Sequence, residues 1–245
     1  MTRRILFTCS MLILFAVSAA AQKTKPWTEW SAKDAEKILN DSAWGQTQTE
    51  GETSSQPSST SAITQTTAGR REDTSTSAAA KVESGEKKDS MAVHYRVRFL
   101  SAKPIRAAFV RMIELQGASA EQVTQWRTFV DRDFGDYIVV TITLDGNDKK
   151  RMGAATAEIN GAGPDVIKTT TYLERKDGKR VALMEYRAPS DVLGAKFVFP
   201  RMIDGKPFID TNSGDVRFFT EVGKTIKISK RFKVSEMTYD GKLEF

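Results

Sequence analysis

Asp131, Asp133 and Asp136 form a close group of carboxylates in the run DRDFGD. Clustered carboxylates suit two chemistries. They can hold a hard cation through oxygen ligands, or divide acid and base work across a glycosidic bond. Arg132 interrupts the run, and the spacing does not match an EF-hand loop. A capped helix end followed by a turn accounts for the same residues without chemistry. His94 is the single histidine and Cys9 the single cysteine, too few nitrogen and sulfur ligands for a zinc site of the usual kind. No G-x-S-x-G is present to raise a serine nucleophile on an elbow. Gly153, Gly161 and Gly163 in MGAATAEINGAGPD make neither a P-loop nor a dinucleotide fingerprint, and the run reads as a flexible loop between strands. No metal and no cofactor is expected. Asp131, Asp133 and Asp136 are the catalytic candidates if there is catalysis at all.

Two other groups point to binding. Ile226, Ile228, Phe232 and Val234 alternate with Lys227, Ser229, Arg231 and Lys233, so one strand face is apolar and the other basic. Like charges at i, i+2 disfavour a strand unless water, acids or an anionic partner screen them. Lys227, Arg231 and Lys233 are therefore candidates for an anionic surface, against the plainer role of protecting a sheet edge. The second group is Trp27, Trp30, Ile38, Leu39 and Trp44, around a short helix that Ser31 and Asp34 cap at Ala32. A helix of about nine residues is marginal alone, and three tryptophans left in water forfeit several kcal/mol. Something must cover them, and the reading taken here is a partner outside the chain.

The run W-S-x-K-D-A-x-K-I-L-N-D-S-x-W, Trp30 to Trp44, resembles a family of uncharacterised exported bacterial proteins that carry it behind a signal peptide. The resemblance implies export and an envelope role, and brings no activity and no site residue with it.

Composition divides the chain. Arg3 and Arg4, the apolar run Ile5 to Val17, and Ala19-Ala20-Ala21 have the layout of a secretory leader over residues 1–21. Cys9 lies within the apolar run, so cleavage would leave a chain with no cysteine and no disulfide. Residues 22–45 are the Trp-bearing segment. Residues 46–90 are rich in Ser, Thr and Gln, hold no aromatic residue, and read as a disordered linker. Residues 91–245 read as one domain with its own core. The formal net charge of +6 is too weak to imply nucleic acid.

Within 91–245, Val93, Tyr95, Val97 and Phe99 alternate as a strand. Pro104 opens an amphipathic helix ended by Gly117, and Ser119 with Gln122 caps another. Ile138, Val140, Ile142 and Leu144 share a strand face. Asp-Gly pairs at 145–146, 177–178, 204–205 and 240–241 signal tight turns. A two-residue turn at Asp177-Gly178 sets Tyr172 opposite Leu183, with Leu173, Ala182, Met184 and Tyr186 facing inward. The fold class is α+β: a predominantly antiparallel β domain, sandwich or partial barrel, with two helices near its start, after a short N-terminal helix and a linker.

The function that follows is an exported, non-enzymatic envelope protein: a binding or scaffolding module with a tethered docking segment, whose partner is an envelope protein or polymer. The alternative is a carboxylate-dependent hydrolase of envelope or extracellular polymer. Oligomeric state is open. Export is tested by mass spectrometry of the mature protein, which should begin at Gln22; a mature chain that keeps Cys9 contradicts it.

Overall fold

The computed structural model describes residues 25–50 and 92–245. The leader and most of the expected linker lie outside the described residues. Five α-helices and thirteen strands are found among the described residues, and the paired strands are antiparallel, as the α+β reading requires. The helices are α1 (Ala32–Asn40), α2 (Lys103–Leu115), α3 (Ala120–Val130), α4 (Lys149–Asn160) and α5 (Pro164–Thr170).

Two sheets carry the fold. The first has the order β1 (Gly45–Thr49), β2 (His94–Phe99), β3 (Tyr137–Asp145), β7 (Ala195–Pro200), β6 (Glu185–Arg187). The second has the order β11 (Ile226–Lys233), β10 (Asp215–Val222), β4 (Tyr172–Arg175), β5 (Arg180–Ala182). Their apolar faces meet through edge-to-face rings. Phe99 meets Phe232 at 4.8 Å between centroids, and Phe197 meets Phe218 at 5.4 Å. Ile138, Val140 and Ile142 lie on this buried face, as their alternation implies. The remaining strands form two small hairpins: β8 (Met202–Ile203) with β9 (Lys206–Pro207), and β12 (Thr238–Tyr239) with β13 (Lys242–Leu243). Each turns on an Asp-Gly pair with positive φ at both residues, the turn that matches strand twist.

The Trp-bearing segment belongs to this core, which corrects the docking reading and the boundary drawn at residue 45. Trp30, Ala35, Leu39 and Trp44 are buried in the same cluster as the sheet residues, with Trp27 and Ile38 packed against it. Trp30 and Trp44 each meet Tyr239 edge to face, at 6.4 and 6.3 Å. Trp44 donates its indole N–H to the Glu244 carbonyl at 2.8 Å, and Arg111 donates to the Trp30 carbonyl at 2.7 Å. The capping box at Ser31 and Asp34 is complete. The apolar groups that seemed to need a partner find one on their own chain.

Residues 46–49, assigned above to the linker, are strand β1. It pairs with β2 along its length, and Glu50 N–H donates to the Val93 carbonyl at 2.8 Å. Residues 51–91 thus connect two strand ends that already touch. They occupy the loop position of a β-hairpin rather than a tether between separate bodies.

Register corrects a second expectation. The 177–178 turn is a three-residue loop, Lys176-Asp177-Gly178. Arg175 N–H donates to the Lys179 carbonyl at 2.9 Å, and Gly178 takes φ 84°. Tyr172 therefore faces Ala182, one residue from the expected pairing. A one-residue slip exchanges the faces: Val181 and Leu183 are buried, and Met184 is exposed.

The glycine-rich run is helical up to Asn160, Gly153 included, and only Gly161 and Gly163 lie in a turn, which joins two helices rather than two strands. Asp148 caps α4 through the N–H groups of Lys150 and Arg151, and Ala155 and Ile159, one turn apart, are its buried residues. Pro164 opens α5.

Loop-closure entropy makes a connection of 41 residues cost about 2 kcal/mol more to close than a four-residue turn. Replacing residues 51–91 with a four-residue turn should keep the fold and raise the urea midpoint. A lowered midpoint would mean that this stretch contributes stabilising contacts.

Candidate functional site

The outer face of the first sheet is covered unevenly. At the β2 end, Arg98 is buried and donates to the Leu39 carbonyl, the Asn40 side chain and Thr143, each at 2.8 Å. The ring of Phe109 in α2 lies 5.2 Å from its guanidinium carbon. At the β3–β7–β6 end the same face is open and floors a cleft of about 700 Å³. Val139 and Val198, directly opposite one another, supply the floor, and Phe129, Phe134 and Tyr137 form one wall. Met184 stands on the other side, 42 % exposed.

Four of the charged groups at the rim form two pairs. Glu185 takes two hydrogen bonds from Arg187, at 2.7 and 3.1 Å, which hold its carboxyl below the usual carboxylate range. Lys196 donates to both oxygens of Asp191 at 2.9 Å. Below β6, the buried Tyr186 hydroxyl donates to the Ile159 carbonyl at 2.8 Å, and burial raises its pKa to about 12. Gly194, on the loop that borders the cleft, takes φ 81°, and a Cβ there would lie 2.2 Å from the Ile142 carbonyl oxygen. Only glycine lets that loop approach β3 so closely.

Asp131 and Asp133 line a second basin of about 450 Å³, together with Lys103, Arg106, Arg201 and Glu244. Asp131 pairs with Lys103 at 2.7 Å. Asp133 accepts the Gly135 N–H at 2.8 Å, which closes the turn. The Asp136 carbonyl accepts the Arg201 N–H at 2.7 Å. All three aspartates are exposed. Asp131 therefore faces an ammonium rather than an apolar wall or a second carboxyl group, the surroundings from which general acids are built. Arg106 is buried and donates to the carbonyls of Val130, Leu100 and Ser101, so it ties α2 to the end of α3. Among the described residues, no group of three or more His, Cys, Asp or Glu is placed to hold a metal ion.

Lys227, Arg231 and Lys233 do share the outer face of the second sheet. Lys227 pairs with Glu221 at 2.8 Å and Lys233 with Glu236 at 3.1 Å. Trp27, Trp30, Ile38, Leu39 and Trp44 lie in or against the core and line neither cleft.

Of the cleft residues the sequence singled out Asp133, which lines this cleft as well as the second basin; most of the others went unnoticed because they come from distant segments. The one usable signal was Met184, which the slipped register had turned inward.

No protein-family model matches the chain, and no curated protein does. A solved structure that resembles it is a novel protein of unknown function from Burkholderia pseudomallei K96243, with 12 % identity, a TM-score of 0.38, and coverage of 62 % of this chain and 82 % of that one. Among the described residues, no helix is long and apolar enough to cross a membrane.

Proposed function

We propose that the chain is an exported, non-catalytic binding module of the cell envelope, and that the cleft on the first sheet receives a segment of an envelope protein or polymer. The observation that carries this reading is the form of the cleft. Its floor is apolar and its size suits ligand recognition, while two of its three carboxylates, Glu185 and Asp191, are paired with cations of the same rim and the third, Asp133, accepts the Gly135 N–H that closes its turn. Such a site gives apolar area to a ligand and commits Glu185 and Asp191 to ion pairs of its own rim. The leader-like sequence of residues 1–21 and the resemblance of Trp30 to Trp44 to exported bacterial proteins support the location. The tethered docking element is dropped, since Trp30 and Trp44 are buried and Trp27 packs against the core.

A photo-cross-linking side chain at Met184 tests this in intact cells. Met184 and Leu115 are exposed to similar degrees, 42 % and 44 %, and Leu115 lies at the end of α2 outside both clefts. Capture of an envelope component from Met184 and not from Leu115 is the expected result. Equal capture from both positions, or none from Met184, contradicts the proposal.

A further inference from the structure

The outer face of the second sheet places two arginines against each other. Register sets Arg217 of β10 directly opposite Arg231 of β11, and like charges so placed destabilise a sheet. Arg217 is held on one side, donating to Glu174 at 2.9 Å and to the Tyr172 hydroxyl at 3.1 Å. Its Nε is buried and has no hydrogen-bond partner. Ser229, two residues before Arg231 on the same face, has a buried Oγ that also lacks a partner. Among the described residues, Arg231 forms no ion pair, whereas Lys227 and Lys233 each do. Unmet buried donors usually have a reason to be kept.

One ligand type answers all three features. An anion between the guanidiniums removes their opposition, and its oxygens can accept from Arg217, Arg231 and the Ser229 hydroxyl together. A carboxylate accepts through two oxygens in one plane. A phosphate group presents its oxygens tetrahedrally, so it can meet two guanidinium forks and a hydroxyl that approach from different directions. We propose that Arg217, Arg231 and Ser229 form a phosphate-binding site, with Lys227 and Lys233 at its margin. Arg231 is exposed, stands opposite Arg217 and lies two residues from Ser229 on the same face, so rotation of its side chain is the movement that would admit the ligand. The site stands apart from the cleft on the first sheet and does not depend on what that cleft binds. It also refines the anionic-surface expectation, because the basic ladder becomes the margin of a defined site that Arg217 and Ser229 complete.

The test uses the chain without its leader, in phosphate-free buffer at low ionic strength. Calorimetric titration with inorganic phosphate should show binding that Arg231→Gln weakens at least tenfold, Ser229→Ala several-fold, and Lys233→Gln less than threefold. Urea unfolding supplies a readout that separates binding from folding. Without phosphate, Arg231→Gln should unfold at a higher midpoint than the wild type, because the charge opposition is gone. Phosphate should raise the wild-type midpoint and leave that of Arg231→Gln unchanged. Vesicles of phosphatidylglycerol, with phosphatidylcholine as control, identify the source. Phosphatidylglycerol binding that inorganic phosphate competes away and Arg231→Gln abolishes assigns a lipid headgroup. Phosphate binding with no binding to phosphatidylglycerol vesicles assigns a soluble phosphate or phosphate ester. Absence of phosphate binding, or an equal rise in midpoint for the wild type and Arg231→Gln, overturns the site.

Discussion

The fold depends on how the free edges of its two sheets meet. β1 ends the first sheet and β11 ends the second, and backbone pairing does not join them. Glutamine side chains do. Gln48 is buried; its amide N–H donates to the Lys227 carbonyl at 2.7 Å and its amide oxygen accepts the Ser229 N–H at 2.9 Å. The side chain thus presents the donor and acceptor of a peptide group to the open edge of β11. Gln46 adds a donor to the Arg231 carbonyl at 2.6 Å. An unpaired buried backbone group costs about 1–3 kcal/mol, so the seam protects β11 from water and from pairing with another chain. Edge protection was one reading of the lysine ladder. The covering is supplied from β1, by amides.

The seam makes residues 25–50 part of the domain. β1 can reach β11 only while it is paired to β2, and α1 is held over the same sheet by the buried Arg98, which donates to the Leu39 carbonyl and the Asn40 side chain at the end of that helix. Desolvation lowers the Arg98 pKa to about 10, which leaves the guanidinium charged at neutral pH and facing the negative end of α1. Trp44 completes the closure, since its carbonyl accepts the Phe99 N–H at 2.9 Å and its indole binds the far end of the chain at Glu244. Helix, strand and tryptophans thus act as one inserted piece.

Alternation and capping made much of this legible in the sequence. β2, β3, α2 and α3, the capping boxes at Ser31 and Ser119, and the basic face of β11 all follow from local pattern. The failures have separate physical causes. β1 reads QTQT after Gly45, with no apolar residue to mark a buried face, because its inward contacts are amide hydrogen bonds. Composition therefore merged it with the polar stretch behind it. The slip at Asp177-Gly178 came from choosing a two-residue turn where Lys176 also belongs to the loop, and it concealed Met184 from the site. Gly153 disguised α4, although a single glycine costs a helix only about 1 kcal/mol and Ala155 and Ile159 repay that through packing. The floor of the cleft was not legible, because it is assembled by strand order rather than by any run of residues.

Residues 25–50 complete the core of 92–245. Urea unfolding of a chain truncated to residues 92–245, beside the chain without its leader, is the decisive measurement. Truncation removes two buried tryptophans, the partner strand of β2 and the cover of β11, a loss well above 4 kcal/mol. The account predicts that the truncated chain shows no cooperative transition, or one at least 2 M lower in urea. A cooperative transition at the midpoint of the longer chain would contradict it and restore the N-terminal segment to the role of a detachable docking element.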